Sequence, residues 1–114
     1  MTIKDICRIL NAKVVCGGEN AVKEVTKGFA SDLMSDVLTL DTDDMVLITG
    51  LTNTQTLRTA EMADVSCVLF VRNKKATDEM KEIAEDNDMV LLECSYSMFK
   101  TVGMLYEAGL KPVY

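Results

Sequence analysis

The chain has 114 residues, 48% of them hydrophobic and 26% charged, with a formal net charge of −6 and no histidine. That length suits one domain able to hide about two-thirds of the surface its unfolded form exposes, and these near-average proportions give no argument for a fibrous repeat or a long disordered tail. The cations are scattered rather than gathered in a stripe, which argues against nucleic-acid binding, and no apolar run approaches the roughly 18 residues that span a bilayer.

Thr2-Ile3-Lys4-Asp5 lacks the layout of a signal peptide, so the expectation is a cytoplasmic protein. The same residues read as a helix start with Thr2 as cap, and Ile3, Ile6, Cys7 and Leu10 follow the i, i+3, i+4, i+7 stripe of a short first helix. Lys13-Val14-Val15-Cys16 leads into Gly17-Gly18-Glu19-Asn20, and Val22 to Ala30 alternates loosely; this region predicts two short strands around a turn. Ser31 and Asp32 are good cap residues, and Leu33, Met34, Val37, Leu38 and Leu40 predict a second short helix running into the acidic linker Asp41-Thr42-Asp43-Asp44. Ser31, Asp32, Ser35 and Asp36 would then share one polar side of that helix, either solvated or bonded to a ligand or partner subunit.

The second half carries the stronger pattern. Met45-Val46-Leu47-Ile48, Cys67-Val68-Leu69-Phe70 and Met89-Val90-Leu91-Leu92 recur at two equal intervals of 22 residues. Continuous apolar runs are what parallel strands need when helices cover both faces. Thr52 with Gln55, Thr77 with Asp78 and Glu79, and Ser95 or Ser97 mark the helix starts that follow each strand. Gly109 and Pro112 stop the last helix, whose amphipathic stretch is Met98, Phe99, Val102, Leu105 and Tyr106. The fold class expected is α/β, a three-layer α/β/α sandwich with a mainly parallel sheet, occupying 1–114 as a single domain.

In such sheets ligands bind beyond the carboxyl ends of the strands, where loops enter helix N-termini. Those loops carry Thr49, Gly50, Thr52 and Asn53 after the first long strand, Arg72 after the second, and Ser95 and Ser97 after the third. A glycine amid hydroxyl and amide side chains suits an anionic or phosphate-bearing ligand. Capping explains Thr52 and Asn53 equally well. Ser31 and Asp32 complete the candidate ligand-binding set.

No catalytic residue, metal site or cofactor is predicted. The P-loop pattern G-x-x-x-x-G-K-[ST] and G-x-G-x-x-G are both missing, and without histidine the usual nucleophile triads are impossible. Cys7, Cys16, Cys67 and Cys94 form no C-x-x-C pair; Cys7 and Cys67 sit in apolar patterns as small buried hydrophobes, and Cys16 and Cys94 fall at strand ends where solvent is within reach.

The segments Gly28-Phe29-Ala30-Ser31-Asp32-Leu33-Met34-Ser35-Asp36-Val37-Leu38, Val46-Leu47-Ile48-Thr49-Gly50, Arg58-Thr59-Ala60-Glu61-Met62-Ala63-Asp64 and Ser95-Tyr96-Ser97-Met98-Phe99 together resemble the DRTGG domain family. That family is similar to the N-terminal domain of HPr kinase/phosphorylase, whose kinase chemistry belongs to a separate P-loop domain. Gly50-Leu51-Thr52-Asn53-Thr54 stands where the letters D-R-T-G-G are expected. The resemblance implies a three-layer α/β fold, a homodimer, and a regulatory or ligand-sensing role. The functional expectation is thus a non-catalytic module that binds an anionic metabolite or nucleotide, or docks a partner protein, at the strand ends. The rivals are an enzyme component that depends on a partner, and a structural assembly subunit.

Overall fold

The computed structural model describes residues 1–114. Thr2 caps α1 (Ile3–Leu10) in a reciprocal pair: its Oγ1 accepts from the Asp5 N–H at 3.1 Å, and the Asp5 carboxylate accepts from the Thr2 N–H at 2.9 Å. Two of the helix's free N–H groups, on Ile3 and Lys4, donate to the carbonyls of Lys23 and Ala21. Those two bonds decide the path of the next segment.

Two strands do follow, β1 (Lys13–Cys16) and β2 (Lys27–Ala30), but they do not form the expected hairpin. After β1 the chain turns at Gly17, at φ 79, where an added Cβ would lie 2.7 Å from the Met89 carbonyl oxygen. A 3₁₀ turn over Gly18–Asn20 follows, and the chain then runs along the start of α1, so β2 emerges far from β1 in the sheet. Donors at a helix start, left without partners inside the helix, capture the intervening segment.

The remaining elements are α2 (Met34–Val37), β3 (Met45–Thr49), α3 (Thr54–Met62), β4 (Cys67–Phe70), α4 (Asp78–Asp86), β5 (Val90–Glu93), α5 (Met98–Glu107) and β6 (Lys111–Pro112). Sheet order is β1-β5-β4-β3-β2-β6. β2 to β5 are mutually parallel, with pairs such as Ala30↔Ile48, Thr49↔Phe70 and Phe70↔Glu93 across their carboxyl ends, while β1 is antiparallel at one edge. β6 had no sequence signature: it is two residues long and pairs with β2 at the other edge, where Pro112 needs no inner ladder bond. Gly109, at φ 110, ends α5 as anticipated.

Successive residues of each central strand point to opposite faces, and both faces are buried. Val46, Ile48, Cys67, Leu69, Val90 and Leu92 pack against α1 and α5. Met45, Leu47, Val68, Phe70 and Leu91 pack beneath α2, α3 and α4. This is the α/β/α sandwich with a mainly parallel sheet that the unbroken apolar runs require.

Three local expectations are corrected. α2 is a single turn whose cap position is Leu33, so Ser31 and Asp32 precede the helix instead of capping it, and only Ser35 and Asp36 lie on it, both exposed. The cap of α3 is Asn53, not Thr52: Asn53 Oδ1 accepts from the Thr56 N–H at 2.8 Å. Cys94 is buried, its Sγ 3.5 Å from Thr101 Oγ1, because the β5–α5 loop folds over it. Cys16 and Cys7 are half-buried, and Cys67 fully so.

Candidate functional site

Because β2 to β5 are parallel, their following loops share one rim. The loops after β2, β3 and β4 lead to helices on the same face, whereas the loop after β5 crosses to α5 on the other. Neighbouring loops therefore diverge only between β4 and β5, the place where such sheets open a crevice. Here the protein's own backbone fills it. Arg72 and Asn73, each at φ 60, form a tight turn closed by the Lys74 N–H donating to the Val71 carbonyl at 3.2 Å. Arg72 N–H donates to the Tyr96 carbonyl at 2.8 Å and Asn73 N–H to that of Cys94 at 3.0 Å. Asparagine adopts positive φ readily; arginine does so at a cost of about 1–3 kcal/mol, and the bonds to the β5–α5 loop hold it there.

At the centre of the rim stands Asp32. Its Oδ1 accepts from Thr49 Oγ1 at 2.9 Å and from the Gly50 N–H at 2.8 Å, tying the β2–α2 loop to the end of β3. Its Oδ2 lies 4.0 Å from Arg72 Nη2. The guanidinium lies across Gly50, where a Cβ would come within 2.9 Å of Cζ and Nε. Glycine at this position thus lets Arg72 approach the backbone and Asp32 together. With half of each side chain exposed, the ion pair contributes about 0–1 kcal/mol, so Arg72 is cheap to redirect.

The structure sorts the nine sequence-predicted residues into three groups. Asp32, Thr49, Gly50 and Arg72 form one connected cluster. Asn53, Ser97 and Ser31 are committed to their own backbone: Asn53 caps α3, Ser97 caps α5 through the Lys100 N–H at 3.1 Å, and Ser31 Oγ accepts from the Leu33 N–H at 2.9 Å. Thr52, half-buried, and Ser95, exposed, occupy the flanking loops.

Glu93 and Lys75 fall in the sequence at these same strand ends but were not among the candidate ligand-binding residues. Glu93 ends β5 and is buried, its Oε2 accepting from the Ala76 N–H at 2.8 Å and its Oε1 lying 3.6 Å from Lys75 Nζ. The signal available was a lone carboxylate closing an apolar strand, which must find a donor when buried. It pins the loop that carries Arg72, Lys74 and Lys75. On the other side of the crevice Lys100 Nζ sits 4.1 Å above the Tyr96 ring.

Chemically, the cluster presents one carboxylate with its Oδ1 satisfied and a guanidinium free to turn outward. A ligand with a hydroxyl donor for Asp32 and an anionic group for Arg72 matches that pair. No three His, Cys, Asp or Glu side chains stand close enough together to hold a metal ion, and no helix is long and apolar enough to cross a membrane. None of the cavities is lined by Asp32, Thr49, Gly50 or Arg72: two lie beside α5 and the third near Asp64 and Asn87.

A search of curated proteins returned no match. Among solved structures, the chain is similar to the CBS and DRTGG domains of the regulatory region of Clostridium perfringens pyrophosphatase, complexed with its activator, diadenosine tetraphosphate. The TM-score is 0.77 at 15% identity, over 98% of this chain and 48% of that one, so the chain spans about half the length of that neighbour. At that identity the likeness is one of fold. The DRTGG domain family matches residues 5–108, which take in β1 to β5, α2 to α5 and all but the first two residues of α1; the chain belongs to the DRTGG domain family.

Proposed function

We propose that this chain is a regulatory, ligand-sensing module, a cytoplasmic homodimer without a reaction of its own, which binds an anionic metabolite of nucleotide type at the strand-end rim. The observation that carries the reading is the Asp32–Thr49–Gly50–Arg72 cluster. A guanidinium is poised over a glycine by a weak, half-exposed ion pair, next to a carboxylate already oriented by two donors. Incoming phosphate draws Arg72 off Asp32, and the freed Oδ2 accepts from a ligand hydroxyl, the pairing a ribose phosphate offers. Lys74 and Lys75 add positive charge on the same loop of an acidic chain, which favours an anion there over elsewhere on the surface. Thr52, Asn53, Ser95, Ser97 and Ser31 border the cluster and contribute shape. The structural neighbour supports the reading in kind, since it is a regulatory region crystallised with a nucleotide activator.

The test is a thermal-shift screen with mononucleotides, dinucleoside polyphosphates and acyl phosphates. A ligand that binds only the folded form raises the melting temperature, by an amount set by its concentration relative to Kd. At least one anionic ligand should stabilise the wild type and lose most of its effect on Arg72→Ala. No shift with any of them, or a shift that Arg72→Ala leaves intact, overturns the assignment. Incubation with ATP and candidate protein substrates should give no phosphate transfer.

A further inference from the structure

Two helices, α1 and α5, cover one face of a six-stranded sheet, and the cover is incomplete. Beside α5 runs a groove whose floor is Gly28 and Ala30 of β2 and Ile48 of β3. The groove continues onto the outer side of α5, which shows Phe99 at 80%, Tyr106 at 66% and Val102 at 36% exposure. Those three lie at i, i+3 and i+7 on one helix face. In the middle of the same face is Gly103, where an added Cβ would meet nothing within 4 Å. A glycine inside a helix weakens it relative to alanine, and no neighbour inside this molecule requires one here. Close approach by another backbone would require one.

We propose that a second copy of this chain covers this face, α5 packing antiparallel against α5 about a two-fold axis near Gly103. The charge pattern selects this occupant. Lys100 and Glu107 flank the apolar stripe, seven residues apart. A two-fold at the Gly103–Met104 level sets Lys100 of each copy opposite Glu107 of the other, making the pair twice; a parallel arrangement opposes like charges. The same register brings Phe99 of one copy within about 3 Å, along the axis, of the level of Tyr106 in the other, given the rise per residue of a helix. Each Phe99 then closes the partner's groove. An isologous two-fold contact is the commonest way for identical chains to associate, and here one patch supplies both halves. For chains that each carry −6, a face with balanced charges is also where mutual repulsion is least. The inference supplies a surface for the homodimer proposed above and is independent of the strand-end ligand.

Analytical ultracentrifugation of the full chain at high micromolar concentration tests it. The wild type should sediment at twice the chain mass of 12.6 kDa. Phe99→Glu and Tyr106→Glu should each weaken association by roughly 30-fold or more, as loss of a buried aromatic anchor does. Because both side chains are mostly exposed in the single chain, circular dichroism and melting of the dilute variants should match the wild type. Lys100→Glu should weaken the dimer, and the double variant Lys100→Glu/Glu107→Lys should restore it. A monomeric wild type overturns both this surface and the homodimer, leaving the face to a different protein. A dimer untouched by Phe99→Glu and Tyr106→Glu overturns the surface alone, and failure of the charge-swapped pair to recover overturns the antiparallel register.

Discussion

Leu47 and Ile48 are consecutive in β3, similar in size, and point to opposite sides of the sheet, where they meet different surroundings. Leu47 sits under α2, α3 and α4 with no exposed surface; Ile48, 3% exposed, forms part of the floor of the open groove beside α5. One face is sealed by three successive crossover helices. The other relies on α1, delivered from the N-terminus, and on α5, which travels from β5 across the sheet to β6. Truncation is expected to cost more in the sealed layer, and the proposed self-association uses the open one, with the strand-end rim as the boundary where α5 leaves the sequence of the others.

Truncation of the two neighbours measures that difference directly and gives the largest expected effect. Leu47→Ala leaves a closed void and should cost about 4–5 kcal/mol, the upper end for a leucine in a rigid core. Ile48→Ala opens onto the groove, where side chains relax and water enters, and should cost about 2–3 kcal/mol. Urea midpoints at concentrations low enough to keep the chain monomeric provide the comparison. Equal losses would mean that the groove is as tightly packed as the sealed layer.

The rim comes next. Asp32→Ala strands the buried Thr49 hydroxyl and Gly50 N–H, and should cost about 1–2 kcal/mol, part of the penalty being relieved by water at this half-exposed position. Asp32→Asn keeps one oxygen to accept from both donors and should cost less. If the two variants unfold at the same urea concentration, the carbonyl-type acceptor is not what ties β2–α2 to β3.

How far these features were legible follows from the range of the forces that set them. α1 and α4 begin at Thr2 and Thr77 because a hydroxyl reaches a backbone N–H three residues on, a purely local event, and the β3–β5 runs declare themselves through burial on both faces. Asp32 obeyed no local rule: a good cap residue next to a short helix, it bonds instead to Thr49 and Gly50, seventeen and eighteen residues away. The place of β1 was hidden for the same reason, since bonds from α1 to Ala21 and Lys23 reroute the chain after a turn-rich segment that reads as a hairpin. β6 is too short for any period to show. The rim as a location was readable from three parallel strands, and four of its residues do converge. Its organisation was not, because the divergence of loops between β4 and β5 depends on sheet order, and the approach of Arg72 over Gly50 depends on a turn geometry unusual for arginine.

The two faces also differ in thiols. Cys7, Cys67 and Cys94 lie on the α1/α5 side and only Cys16 on the other. Burial, helped by neighbouring Cys7, pushes the Cys67 thiol far above its ordinary value of 9.0, and burial raises Cys7 and Cys16 as well. Above pH 9 the unfolded chain releases these protons while the folded chain keeps them, so stability is fully present below that pH and declines as pH rises. The slope contributed by Cys67 approaches at most about 1.4 kcal/mol per pH unit. Denaturation midpoints between pH 8 and pH 10.5 should fall, and Cys67→Ala, less stable at pH 7, should show a flatter decline. A parallel decline in both proteins would assign the alkaline loss to other groups.

Smallest in energy, but sharpest for the comparison, is Gly103→Ala. At this position the new methyl meets nothing within 4 Å, so the isolated domain should gain the ordinary preference of a helix for alanine, about 0.5–1 kcal/mol, with a rise in Tm of roughly 3–6 °C. The same methyl stands where the two helices approach most closely in the α5 pairing, so self-association should weaken while the monomer strengthens. Opposite signs in dilute melting and concentrated sedimentation are hard to produce by any effect confined to one chain. If alanine instead stabilises the domain and leaves association unchanged, glycine at 103 has no contact to accommodate, and the open face loses the feature that marks it as a helix-packing surface.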